Sequence, residues 1–220
     1  MKNFFIGAIP EFIRSNHDLH LVQAQVEVEP AEPRLNFIDV PGADGAKDFS
    51  ESPAGRVVFN TRRIIWTFKL YPGESWAEKR MQVSNALNGR SCQITLGDDP
   101  DYYYVGRLSV DKHETDSIFH TITVKATCQP YKLRHAGAMV TANLTTTYST
   151  LRLANDRMPV VPTIEVTANT TLKWNGGEHS LTAGTHRVLD IMLVEGVNIL
   201  EAKTVSGTGK ITVTYREGAL

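Results

Sequence analysis

Hydrophobic and polar positions alternate along most of this chain. Between Ile118 and Cys128, one face carries Ile118, Ile122, Val124, Ala126 and Cys128, while Thr121, Thr123, Lys125 and Thr127 carry the other. That period of two predicts a strand with one buried face. Ile64, Trp66, Phe68 and Leu70 repeat it against Ile65, Thr67, Lys69 and Tyr71, and so do Cys92, Ile94 and Leu96, then Ile211, Val213 and Tyr215. β-branched and aromatic residues fill these runs, and Gly, Asn and Asp separate them, as sheets and turns require.

One segment follows a different period. Ser75 stands three residues before Glu78, which predicts a reciprocal capping box. Trp76, Val83 and Leu87 then share a helical arc, and Asn88-Gly89 supplies a left-handed stop. A helix is therefore expected over about 75–88, covering part of a sheet. Long alternating runs lapse after Tyr131 and resume with Ile164 and Val166. Turn signals then recur at Asn175-Gly176-Gly177, Ala183-Gly184, Glu195-Gly196 and Gly207-Thr208-Gly209, the spacing of a sandwich or barrel. The expected fold class is mainly β, with two tandem β-sandwich or barrel domains: residues 1–132 with the single helix, and residues 133–220.

A length of 220 residues accommodates two such domains. With 23 Lys and Arg against 24 Asp and Glu the net charge is -1, which lacks the cationic surplus of a dedicated nucleic-acid binder. It also lacks the self-repulsion that keeps copies apart. Two cysteines, Cys92 and Cys128, fall on inward positions and read as reduced core thiols. The apolar start from Met1 to Ile9 is cut off by Pro10 and Glu11, too early for a signal-peptide core. No apolar run reaches the ~20 residues of a membrane-spanning helix. Folding in a cytosol without membrane insertion is the expectation.

Candidate chemistry is sparse. There is no phosphate-binding loop, no dinucleotide fingerprint, no Gly-x-Ser-x-Gly elbow and no His-Glu-x-x-His. His17 and His20 are the closest histidine pair, without further ligands beside them, and His120 lies on an inward strand face. No catalytic residue, metal site or cofactor is assigned. Asp98, Asp99 and Asp101 surround Pro100 and read as a turn; a calcium ion, for which the spacing is not that of a calcium loop, and a hydrolytic role for the carboxylates are the competing readings. Tyr102-Tyr103-Tyr104 alternates faces, so one ring is expected outward; structural packing is the favoured reading, with Tyr103 as a candidate protein or sugar contact. Trp174 and Glu178 flank a hairpin turn, where an exposed indole and a carboxylate could hold a sugar. Packing of Trp174 into the sandwich or the hairpin is the favoured reading, and the sugar contact is the alternative. Finally, Asp39, Pro41, Gly42, Asp44, Gly45 and Asp48 build a sterically open loop that another chain could clasp.

In order along the chain, several motifs carry a resemblance. They are His17-Asp18-Leu19-His20-Leu21-Val22, Pro30-Ala31-Glu32-Pro33, Ile38-Asp39-Val40-Pro41-Gly42-Ala43-Asp44-Gly45, Arg62-Arg63 before Trp66-Thr67-Phe68, and Asp98-Asp99-Pro100-Asp101-Tyr102-Tyr103-Tyr104-Val105-Gly106-Arg107. Pro162-Thr163-Ile164-Glu165-Val166, Leu181-Thr182-Ala183-Gly184-Thr185 and Gly207-Thr208-Gly209-Lys210-Ile211 follow in the second half. Together they resemble the distal tail proteins of siphophages, the baseplate hub of long, non-contractile phage tails. The resemblance implies a non-enzymatic structural protein at the virion tail tip, assembled in the host bacterial cytoplasm. It implies a homo-hexameric ring formed by the N-terminal domain, and a galectin-like jelly-roll sandwich in the C-terminal one. The implied partners are the tail-tube protein, a tail-tip or tail-associated protein, and a receptor-binding protein, with DNA only in transit through the lumen. The span from Asp39 to Phe59, including Arg56, is then the candidate ring contact. A carbohydrate-binding module acting through Trp174, Glu178 and Tyr103 is the alternative.

Overall fold

A computed structural model describes residues 4–6, 13–14, 19, 21–70, 75–115 and 120–220. His17, His20, Ile118, Phe119 and most of the apolar start lie outside them. Contacts divide the chain into two units, Met1–Lys132 and Leu133–Leu220.

In the first unit the alternating segments are strands. They are β1 (Phe4–Ile6), β2 (Ile13–Arg14), β3 (Leu21–Val28), β4 (Phe37–Asp39), β5 (Ala46–Asp48), β6 (Arg62–Leu70), β7 (Ser91–Leu96), β8 (Asp99–Thr115) and β9 (His120–Cys128). One antiparallel path runs β2-β1-β7-β8-β9-β6-β3, while β4 and β5 pair only with each other. Trp66 lies opposite Val124, Ile64 opposite Ala126 and Phe68 opposite Ile122. All six are fully buried, so the period of two in these runs marks the core face.

Helix α1 (Trp76–Leu87) lays Val83 and Leu87 onto that core. The expected capping box does not form: Ser75 occupies the N-cap with extended backbone, yet its side chain makes no cap bond. What remains is Glu78 in the first turn, whose charge suits the helix N-terminus. Lys79 replaces an apolar residue on the buried stripe and donates Nζ to the Leu19 carbonyl at 3.2 Å and to Gln82 Oε1 at 3.0 Å. At the far end Gly89 takes the positive φ of 79°, as its place after Asn88 predicts. Trp76 is stacked on His120, with centroids 4.6 Å apart, and meets His113 edge-on at 5.8 Å.

The second unit follows β10 (Lys132–Arg134), a strand at the division. Its strands are β11 (Ala138–Leu144), β12 (Ser149–Asn155), β13 (Thr163–Val166), β14 (Thr170–Trp174), β15 (Gly177–Leu181), β16 (Gly184–His186), β17 (Gly196–Thr204), β18 (Gly209–Tyr215) and β19 (Gly218–Ala219). Sheets β11-β18-β13-β16 and β12-β17-β14-β15 form a sandwich. Leu151 and Leu153, Leu172, Leu200, Ile211 and Val213 fill it from both sides. Asn175 and Gly176, with φ of 46° and 84°, make the two-residue connection between β14 and β15. Both central residues need positive φ in such a turn, which Asn-Gly tolerates best.

Candidate functional site: an exposed arm

The pairing of β3 with β6 ends at Val28 opposite Ile64, but the two chain segments do not part. Glu29 donates its amide to the Arg63 carbonyl at 2.9 Å, and Asn60 donates to Glu32 at 2.8 Å. Pro33 then bridges to Phe59, and Arg34 donates to Val58 at 2.8 Å. Two side-chain clasps run alongside, Arg63 Nε to Glu29 Oε2 at 2.9 Å and Arg34 Nε to Asn60 Oδ1 at 2.8 Å. Beyond them β4 and β5 close a hairpin with Phe37 opposite Asp48, Ile38 opposite Lys47 and Asp39 opposite Ala46. The result is a ribbon that continues the sheet outward as an arm.

Local chemistry sets its two ends. At the tip, Pro41 presets φ, Gly42 takes φ of 82°, and the Ala43 amide donates to the Val40 carbonyl at 3.0 Å. A Cβ on Gly42 would meet nothing within 4 Å, so the backbone angle alone selects glycine there. Behind the hairpin, Asp48 accepts from both the amide and the hydroxyl of Ser50, and Ser50 Oγ accepts the Asn36 amide at 2.8 Å. These donors hold the Asp48 carboxyl below the usual carboxylate range. Phe59 anchors the base by meeting the Tyr131 ring edge-on at 5.9 Å. Arg56 makes a long contact, 3.4 Å, to the Val57 carbonyl.

The sequence-selected residues therefore separate. Asp39, Pro41, Gly42, Asp44, Gly45 and Asp48 share the hairpin, whereas Arg56 and Phe59 lie on the returning segment and are part-buried. The residues sequence reasoning missed are the apolar ones. Leu35 is 59% exposed, Phe37 55% and Ile38 47%, with Val40 and Phe49 also in water. Phe37 and Ile38 point to opposite faces of the ribbon, so both faces are apolar and wet. An isolated two-stranded hairpin is marginal in water, and clustered exposed apolar side chains mark a surface that a partner covers. The available signal was a run of large apolar residues with no period-two partner beside a Pro-Gly turn.

The other candidate residues are engaged within the chain. Trp174 is 6% exposed and packs in the core of the second unit, so it has no free face for a pyranose. Glu178 instead accepts from Tyr148 Oη at 2.9 Å, a bond that pushes the phenol pKa up. Tyr103 is buried, and so is Tyr104; the part-exposed ring of the three is Tyr102, over which Lys132 Nζ sits at 4.6 Å. Both faces of β8 are covered at this point. The expected turn over Asp98 to Asp101 is displaced: Leu96 pairs with Asp99, so Gly97 and Asp98 make the turn and Pro100 lies in β8. Asp99 is bonded to Lys132 Nζ at 2.8 Å, which raises the lysine pKa. A cleft beside β8 is lined by Ser91, Arg107, Ser109 and Thr127, and its lining holds no carboxylate or histidine. Arg107 donates to the Gly89 carbonyl at 2.6 Å. Among the described residues no cluster of three or more His, Cys, Asp or Glu side chains converges as metal ligands do.

No protein-family model matches the chain, and no curated protein matches it by sequence. Among solved structures it is similar to the SPP1 Dit protein, whose crystal structure is presented as a paradigm of the hub adsorption apparatus in phages that infect Gram-positive bacteria. The two superpose with a TM-score of 0.68 at 16% identity, covering 100% of each chain. At that identity the likeness is one of fold, along the whole length of both proteins.

Proposed function

We propose that this chain is a structural distal tail protein, the baseplate hub of a long, non-contractile phage tail, and that it catalyses no reaction. The observation that carries this reading is the arm, whose apolar faces stand in water, set on a fold shared end to end with a hub protein. In this reading the first unit closes a homo-hexameric ring below the tail tube. Cyclic closure needs a heterologous interface, in which one patch of each copy meets a different patch of the next. A projecting ribbon with its own apolar residues supplies one half of such a contact. The second unit serves as a galectin-like sandwich turned toward tail-tip and receptor-binding proteins. Assembly takes place in the host cytoplasm, and the balanced charge lets DNA pass the lumen without adhering.

Negative-stain micrographs of the purified protein test this. Closed rings, alone or beside tube protein, are the expected result. Isolated single-copy particles under both conditions contradict it.

A further inference from the structure

Arg62 opens β6 where the arm leaves the sheet. Its side chain turns inward: the residue is 7% exposed, and its guanidinium carbon lies 5.5 Å from the centroid of the Tyr104 ring. The terminal nitrogens of the group are not among the fully enclosed polar atoms, so they reach the surface beside Tyr104. Nε is enclosed without a hydrogen-bond partner, and no carboxylate among the described residues pairs with the group. Opposite it stands Cys128, whose thiol is held neutral by burial. Lys132 adds a second positive charge near Tyr104 and occupies the Asp99 carboxylate itself. A guanidinium this far covered, with no carboxylate beside it, lacks the paired geometry that arginine favours at low-solvent sites.

The arm carries the missing sign. Asp39 and Asp44 are exposed at its tip, and neither side chain makes a hydrogen bond or ion pair within the described residues. Neither pairs with Arg62 of its own chain: the ribbon pairing from Glu29–Arg63 to Asp39–Ala46 spans ten residues, a reach of roughly 30 Å for extended backbone at about 3.3 Å per residue.

We propose that Arg62 is a carboxylate receptor, and that its ligand is Asp39 or Asp44 from the arm of an adjacent copy. Each copy then inserts one arm and receives one, which is the two-patch geometry a ring requires. This rests on the ring-forming reading above and assigns that interface its receiving residue. The guanidinium and an arm carboxylate form the charge-assisted pair that buried arginines favour.

The test compares assembly by sedimentation velocity across salt concentrations for the native chain, Arg62→Met, Asp39→Asn/Asp44→Asn, and all three changes combined. Each of the first two variants should weaken association by at least about tenfold, and their combination should be no worse than either. Replacing an unpaired buried charge with an apolar chain should leave the monomer folded. If Arg62→Met does not fold, the arm pair decides alone, because both residues are exposed. Native-like assembly of the arm pair overturns the inference and leaves the ring reading standing, whatever Arg62→Met does. A native chain that stays monomeric overturns both.

Discussion

The Sγ of Cys128 occupies the space beside Gly106: a Cβ on Gly106 would lie 2.5 Å from it and 2.9 Å from the Thr127 carbonyl oxygen. β8 and β9 pass so closely there that only a hydrogen fits. Gly106→Ala should therefore cost about 1–3 kcal/mol through overpacking. Cys128→Ala in the same chain should recover only part, since the carbonyl remains. Urea unfolding of the two variants measures this, and a neutral Gly106→Ala would show that the strands separate freely.

Burial pushes the Cys128 thiol up to about 12, with Cys92 as a second raising influence. Its ordinary value is 9.0, so the neutral thiol's contribution to stability is complete below pH 9 and is lost as pH rises towards 12. Mass-spectrometric mapping of alkylation at neutral pH should find the part-buried Cys92 modified first and Cys128 only after denaturation. Equal labelling of both in the folded protein would contradict the packing around Gly106.

His113 should produce an acid-side effect. Burial, then Arg80, holds its pKa below the ordinary 6.5, and its Nδ1 is enclosed without a partner. Neutral imidazole is favoured in the fold, so this contribution is present above pH 6.5 and disappears as pH falls through the lower folded value. The urea midpoint should drop between neutral and mildly acidic pH, and His113→Phe should flatten that slope while keeping the edge contact to Trp76. An unchanged slope in the variant would place the acid sensitivity elsewhere.

Trp174→Ala should destabilise the second unit by about 3–5 kcal/mol, the usual result of emptying a large buried site. Calorimetry with cell-wall sugars should show no binding by the native protein that this substitution removes. A variant that keeps its stability but loses a measurable sugar affinity would return Trp174 to the surface.

The strands were legible because Ile64, Trp66 and Phe68, like Ile122, Val124 and Ala126, have one wet face and one dry one, and a period of two records that difference directly. The helix was legible from its end signals and its apolar arc, although Ser75 forms no cap bond and Lys79 holds a buried place through its hydrogen bonds. For Tyr103 and Trp174 the sequence favoured packing yet left a contact role open, because alternation says which residues share a face, not whether a second layer covers it; both are buried. Loop composition identified Pro41, Gly42 and Gly45, but Phe37 and Ile38 have no periodic reading, because in a single copy neither face of their ribbon is covered. Arg62 was invisible as a site for a related reason. A charged residue opening a strand looks solvated until its Nε is found enclosed.

The proposed role requires the arm to be covered by another copy of the same chain. The direct measurement is the sedimentation-velocity mass of the native protein at micromolar concentration, beside Phe37→Ser/Ile38→Thr, which removes one apolar residue from each face of the ribbon. A hexameric native species that the double variant reduces to folded monomer is the predicted result. A native chain that sediments as a monomer, or a double variant that assembles as the native chain does, contradicts it.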